Sequence, residues 1–453
     1  MDVNETFAYI DANGNRFVSE LQAACRQPSV ASQNLGMGDM AQLVADSMSA
    51  TGIRSKVVPV TGGFPIVYGE LEGETDRTIL FYNHYDVQPP EPLAEWSSPP
   101  FAAEVRDGLL YARGAADNKG CLFSRIHALE AVLRTVGRVP VTVKFLVEGE
   151  EEIGSAHLKD FVLGNRSLLT ADAYVWEYAA KDDYDNPTVC LGNKGMLGVE
   201  LIVEGASHDL HSMLAPIYAN AAWELVQALA SLKNHEDVLI DGFYADIEPT
   251  TPEERELLGR IPGNETALMR TAGVDRLLHN MTGHEAIRKL YTAPTANICG
   301  IQSGEVGEGF KTILPARAVA SLDFRLLMRQ DPADILRKLR QHLDRHGFGH
   351  VRIGETTMLW PSKTPVTSPF VQIVRRTAAH AYGREIVVLP TSAASGPRHV
   401  FSEWTDAPIV ALGVGYTGSR IHAPDENIRL TDYYEAVRHI AAIMLDYGRE
   451  GRR

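Results

Sequence analysis

Long hydrophobic runs are what this 453-residue sequence most plainly lacks. No stretch approaches the roughly 20 consecutive apolar residues that cross a bilayer, so no membrane-spanning helix and no membrane partner are expected. It opens MDVNETFAYIDANGNRF, with acids and no apolar core, so no secretory leader is expected and the expected compartment is the cytoplasm. Cysteine is scarce. Cys25, Cys121, Cys190 and Cys299 lie far apart without a CxxC pair, which argues for reduced, mostly buried thiols. A basic excess is missing too: 43 Lys and Arg face 58 Asp and Glu, a formal net charge of −15 that argues against nucleic acid or an anionic membrane as partner. No internal repeat or low-complexity tract is visible. What remains is ordinary for a globular protein, 45% hydrophobic and 22% charged, in a chain long enough for two domains.

The order of patterns separates those domains. Apolar spacing predicts helices over 6–25 and around 40–48, then strands at 57–60, 65–68 and 78–82. A Pro-rich loop and a short strand, Leu109-Leu110-Tyr111, lead into RGAADNKG and a helix from Cys121. A strand at 141–147 runs into Glu148-Gly149-Glu150-Glu151-Glu152, a helix follows from His157, and another strand, 173–176, ends at Glu177. This alternation describes an α/β domain: a mixed, largely parallel sheet flanked by helices. The texture changes near Gly192. Segments 198–204 and 318–326 alternate apolar with charged residues, as half-exposed strands do, and helices are expected over 219–232 and 332–346. From Ser368 the α/β texture returns, with strands at 386–389 and 408–412. The expected layout is a discontinuous catalytic domain, 1–196 with 362–453, and an inserted smaller α+β domain, 197–361.

The polar residues of interest fall at predicted strand ends. His84 and Asp86 end the 78–82 strand, Asp117 precedes the Cys121 helix, the glutamates follow 141–147, and Glu177 follows 173–176. His422 sits in SRIHAPDE beyond the 408–412 strand. An isolated HxD is usually chance, an aspartate before a helix is usually a cap, and an acidic run is usually a solvated face. Their shared position argues otherwise, because the carboxyl ends of parallel strands gather at the edge where ligands bind. Two imidazoles and three carboxylates suit zinc or a similar divalent ion. Five ligands exceed one tetrahedral ion but suffice for two ions sharing a carboxylate.

These residues match a family pattern. The segments NHYDVQP, LYARGAADNKG, EGEEEIGS, the Glu177 region, DLHS, KTILP, DFRL, SGP and IHAPDE occur in that order. In them the sequence resembles the di-zinc metallopeptidases that include carnosinase-type dipeptidases, aminoacylase, glutamate carboxypeptidase and succinyl-diaminopimelate desuccinylase. DLHS, KTILP and DFRL are nearest the dipeptidase branch. The resemblance implies two divalent ions per chain, zinc with cobalt or manganese as alternatives. It implies Asp117 as the carboxylate bridging both, His84 and Glu177 at one ion, Glu152 and His422 at the other, Asp86 orienting His84, and Glu151 as general base. It implies that His211 acts in a partner subunit's site and stabilises the oxyanion; of the pair, neighbouring His208 is read as the plain surface histidine on a loop. Arg325 would clamp a substrate carboxylate, with Thr312 and Ser395 beside the substrate. The inserted domain would then be a lid and the contact surface of a homodimer.

The departures border the substrate. Met213 follows DLHS where the family often has Gly, Ala393-Ala394-Ser395-Gly396-Pro397 stands for GGSGP, and Ser392 occupies the place of a carnosinase-type glutamate. The expected activity is hydrolysis of dipeptides or small peptides. N-acyl-amino-acid deacylation is the alternative, and a non-catalytic binding protein on the same fold the remote one, disfavoured because every ligand type and Glu151 are present.

Overall fold

The computed structural model describes residues 3–305, 307 and 309–450; the outermost residues of the expected larger domain, 1–2 and 451–453, lie outside them. The chain forms two compact units. The larger comprises the chain up to Gly192, Thr364–Pro390 and the chain from Val400 onward; the smaller comprises Asn193–Lys363 and Thr391–His399. Residues 193–196, 362–363 and 391–399, expected in the larger domain, group with the smaller one. Local bonds explain this: Lys194 N donates to Ala394 O (3.0 Å), Asn193 Nδ2 donates to Gly396 O (3.1 Å), and Lys363 pairs with Glu248 and Glu254 (2.8 Å each).

The larger unit is built on an eight-stranded mixed sheet. Its strand order is Arg54–Val58, Ile66–Leu71, Thr142–Glu148, Thr78–His84, Ala173–Trp176, Ile409–Ala411, Thr188–Cys190, Val387–Leu389. The four central strands, Thr142–Glu148 to Ile409–Ala411, run parallel. They are buried on both faces, which is why their sequences read as continuous apolar runs rather than alternating ones. Leu80 and Tyr82 point to one face, where Leu146, Tyr174, Trp176 and Phe401 pack with them. On the larger unit's other packed layer, helix Gly120–Val136 lies against Val3–Arg26 and Leu430–Glu450. Gly120 begins this helix where only a glycine fits, since a Cβ would stand 2.2 Å from Ala115 O. Cys25, Cys121 and Cys190 are buried and Cys299 is exposed, all four as free thiols. No described helix is long and apolar enough to cross a membrane.

The smaller unit is an antiparallel four-stranded sheet ordered Thr295–Ser303, Arg317–Leu326, Gly195–Glu204, Arg352–Leu359. Helices Ala221–Leu232 and Pro332–Arg345 supply Leu225, Leu229, Leu339 and Leu343 to a core with Leu197, Leu201, Leu322 and Phe324. Strand parity therefore puts Asp323 and Arg325 on the opposite face. Thr295–Ser303 was not expected as a strand. It is an edge strand, exposed along most of its length, and its register shifts between Ile298 and Gly300, so neither hydrophobic alternation nor burial marks it in sequence.

Candidate active site

Parallel pairing brings the ends of the four central strands to one edge, with His84 paired opposite Glu148. His84 is the last residue of its strand and is buried. Its Nδ1 lies 3.0 Å from the carbonyl oxygen of Asp86 and 3.3 Å from Asp86 Oδ1. That leaves Nε2 facing Asp117 Oδ1 at 3.0 Å and Glu177 Oε2 at 3.8 Å. The other oxygen of Asp117, Oδ2, faces His422 Nε2 at 3.3 Å, and the same nitrogen is 3.2 Å from Glu152 Oε2. Asp117 thus stands between two imidazoles, and the nitrogen that each turns towards it also faces a second carboxylate.

The acidic run after Thr142–Glu148 divides by direction. Buried Glu148 accepts from Tyr82 Oη and from Ser155 Oγ (2.9 Å), and burial pushes its carboxyl up to about 8. Glu150 accepts from Phe64 N (3.0 Å) and pairs with His157 Nδ1 (2.7 Å). Glu151 and Glu152 form a short helical turn held from below by Asp86. Its Oδ1 accepts from Glu151 N (3.2 Å) and its Oδ2 from Glu152 N (2.9 Å). Asp86 therefore fixes both the His84 ring and the turn bearing the two glutamates, and the second task was not legible in the HxD motif.

Charge crowding dominates the electrostatics. Burial raises the Glu151 carboxyl to about 7; His84 opposes this, while Asp117, Glu152 and Asp86 add to it. Burial, followed by Glu151, pushes Glu177 well above the carboxylate range. Contact with Asp117 and Glu152 raises His422 to about 10. Burial lowers His84, but Asp117 and Asp86 outweigh it and hold the ring well above its usual value. Burial would raise Asp117, yet His422 and His84 hold it below. Crowded carboxylates of this kind repel one another, and a cation among them relieves the repulsion.

The donor set fits such a cation. His84, Asp117 and Glu152 each offer a ligand atom within 4.8 Å of the others. Glu152 Oε1 and Glu177 Oε2 are buried with no hydrogen-bond partner among the described residues, although Gln88 Nε2 holds Glu152 Oε2 (2.9 Å) and Trp176 Nε1 holds Glu177 Oε1 (3.0 Å). Buried carboxylate oxygens are normally satisfied, so an orphaned oxygen on each of two carboxylates that neighbour the imidazoles fits a place for divalent ions.

A buried layer behind the cluster escaped sequence reasoning. Arg125, inside helix Gly120–Val136, donates to Tyr82 O and Asn83 Oδ1 (2.5 Å each), Trp176 O (2.6 Å) and Leu412 O (3.2 Å). It thereby ties together the ends of three parallel strands. Asn83 bonds Asn118, whose Nδ2 donates to Glu177 O (3.0 Å). The available signal was an arginine on the apolar face of a buried-type helix.

The remaining expected residues belong to the smaller unit. Arg325 donates through Nε to Asp323 Oδ2 (3.0 Å) and through Nη1 to Ser395 Oγ (2.9 Å), and that hydroxyl donates to Gly195 O (3.1 Å). Leu210–His211 pairs with Ile313–Leu314, and Ser212 N donates to Thr312 O (2.9 Å), so one ribbon carries both His211 and Thr312. His211 is exposed and accepts from Met213 N (3.1 Å), while the His208 ring contacts the neighbouring Ser207 hydroxyl (3.0 Å).

Comparison with known proteins agrees with this geometry. The sequence model of peptidase family M20/M25/M40 matches residues 80–446. The chain is 25% identical to the Beta-Ala-His dipeptidase of Rattus norvegicus over 98% of this chain and 95% of that protein. It is 27% identical to the Cys-Gly metallodipeptidase dug1 of Schizosaccharomyces pombe over 76% of each chain. Among solved structures, an M20 family metallo-carboxypeptidase from Sulfolobus solfataricus superposes with a TM-score of 0.89 and 36% identity, covering 95% of this chain and 99% of that one. A match spanning every residue of the cluster, together with that structural likeness, leads to one conclusion: the chain belongs to peptidase family M20/M25/M40 and is a metallopeptidase.

Proposed function

We propose that this protein hydrolyses the amide bond of dipeptides or other small peptides with two divalent ions, zinc first among them, shared across Asp117. The observation that carries the reading is Asp117 itself, whose two oxygens face His84 at 3.0 Å and His422 at 3.3 Å. His84 and Glu177 would hold one ion, Glu152 and His422 the other. Bound there, the ions supply Lewis acidity to the scissile carbonyl and acidify a water.

The chain's own groups do the rest. Glu151, free of ligand duty, takes a proton from the attacking water and delivers it to the leaving amine as the C–N bond breaks. Burial raises the Glu151 carboxyl to about 7, towards the range in which one group can both take up and release a proton. Asp86 keeps Glu151 and His84 in register through the bonds described above. Arg325 binds a substrate carboxylate through its planar fork, with Ser395 and Thr312 beside the substrate. His211 donates to the oxyanion, and does so in the partner subunit of a homodimer.

Two features support the dimer. Thr295–Ser303 is a sheet edge with Ile298 and Ile301 exposed, and helix Ala221–Leu232 leaves Trp223 and Val226 exposed opposite its buried Leu225 and Leu229. Unpaired edges and apolar helix faces are surfaces that symmetric association covers. Four free thiols suit a reducing compartment, and we assign the protein to the cytoplasm on that ground.

The test is a hydrolysis screen of dipeptides against N-acetyl and N-succinyl amino acids with added zinc, cobalt or manganese. Dipeptides should be cleaved fastest. Preference for the acylated amino acids would replace the peptidase reading with a deacylase, and no turnover of either class with any of the metals would refute it.

A further inference from the structure

The loop carrying His422 is bent against its own preference. Arg420, His422 and Asp425 all have left-handed backbone angles, with φ of 53°, 60° and 59°. Non-glycine residues persist there only where the surroundings fix them. Asn427 fixes one end: its N–H and Nδ2 donate to Ser419 O (3.0 Å) and Gly418 O (3.1 Å), and its Oδ1 accepts from Tyr416 Oη (2.8 Å). Asp425 fixes the outside, accepting from Ser97 N (2.8 Å) and Ser97 Oγ (2.6 Å).

Glu426, between them, turns inward. Its side chain is 1% exposed, and both carboxylate oxygens are spent on the loop that carries Asp117. Oε1 accepts from Ala116 N (2.9 Å) and from Asp117 N itself (3.0 Å). Oε2 accepts from Gly114 N (3.0 Å) and Arg113 Nη1 (2.8 Å). Arg113 is equally buried and also donates to Pro89 O (3.2 Å). The main chain adds one strut, Ala112 N to Glu426 O (3.0 Å).

We infer that Glu426 is a positioning residue that sets the separation of Asp117 and His422, and through it the fit of the metal cluster. One carboxylate four residues beyond His422 receives the peptide N–H of Asp117, so the two loops cannot shift independently while it is charged and in place. Only a carboxylate can do this. Four converging donors need an acceptor at both oxygens, and a glutamine would turn an NH₂ group towards two of them. This inference rests on reading the cluster as a metal site, and the two can fail separately.

The experiment strips metal from wild type and Glu426→Gln and measures zinc affinity by competition with a chromophoric chelator. The melting temperature of each metal-free protein is recorded alongside. Zinc binding should weaken about 10–100-fold in Glu426→Gln, the usual consequence of losing a group that orients ligands. A residue that merely stabilised the fold would lower the metal-free melting temperature and leave zinc affinity unchanged. Arg113→Met, which removes a single donor, guards against a Glu426→Gln chain that does not fold, and should weaken zinc binding in the same direction by less. Zinc affinity equal to wild type in either folded variant overturns the inference. Absence of zinc binding by the wild type itself would instead overturn the metal reading.

Discussion

The two units treat their polar residues in opposite ways. At the carboxyl edge of the large sheet, acids are packed against acids, and Glu152 Oε1 and Glu177 Oε2 are buried without hydrogen-bond partners among the described residues. On the open face of the smaller sheet, Arg325 is already engaged by Asp323 and Ser395, and His211 is exposed with a local backbone partner. The first arrangement crowds carboxylates around two imidazoles, and a cation among them would relieve that crowding. The second is only partly engaged: Arg325 is held through Nε and Nη1, and His211 through Nδ1. One unit builds chemistry from a single sheet edge.

Breaking the first half of that contrast should have the largest effect. Asp117→Ala removes the carboxylate between the imidazoles, and both metal content and turnover should fall below detection, as read by elemental analysis and a dipeptide assay. Glu151→Gln should keep its metal and lose roughly 10²–10⁴-fold in kcat, the worth of general-base catalysis. Glu152→Gln should lose metal from one site first. Equal metal loss in the two variants would remove the distinction between base and ligand.

The second half is sharpened by complementation. His211→Ala and Glu151→Gln chains, each inactive alone, are mixed and allowed to exchange subunits. A mixed dimer holds one site with its own Glu151 and the partner's His211, so activity should return to about half of a wild-type dimer's sites, scaled by the mixing statistics. No recovery despite proven exchange would confine His211 to its own chain or to no role.

The smallest effect concerns stability away from both regions. His439 is buried with Nε2 against Val374 O (3.0 Å), and burial lowers it to about 4. Its folded value lies below the unfolded one, so the unfolded chain binds more protons between pH ~6.5 and ~4. Stability is therefore full above pH ~6.5 and declines as pH falls to about 4, by at most about 3 kcal/mol from this group. Urea unfolding at pH 7 and pH 4.5 should show that loss in wild type and a smaller one in His439→Leu.

Much of the active edge was legible in the sequence because parallel strands deliver whatever follows them to one place. His84, Glu177 and the glutamates after Glu148 each follow an apolar run, and in the fold these ends lie together. What was not legible depends on contacts between distant segments. Arg125 stands out in the sequence only as an arginine on an apolar helix face, and which strand ends it and Asn118 tie is not written there, since apart from Asn83 their partners are backbone oxygens that any sequence would supply. Asp86 read as an orienter of His84, whereas its grip on Glu151 and Glu152 needs the neighbouring strand's register. The Leu430–Glu450 helix went unread although Tyr433, Val437, Ile440 and Met444 repeat at helical spacing and are buried, so there the signal existed. Thr295–Ser303 carried no such signal, being exposed and interrupted by Gly300.

The most direct test of the central claim is a metal titration of stripped protein. The enzyme is freed of metal by exhaustive chelation, metal removal is verified by elemental analysis, and dipeptide hydrolysis is followed as zinc is added back. Activity should be absent at the start and rise to saturation at about two ions per chain. Turnover that persists in protein shown to be free of metal would contradict the account.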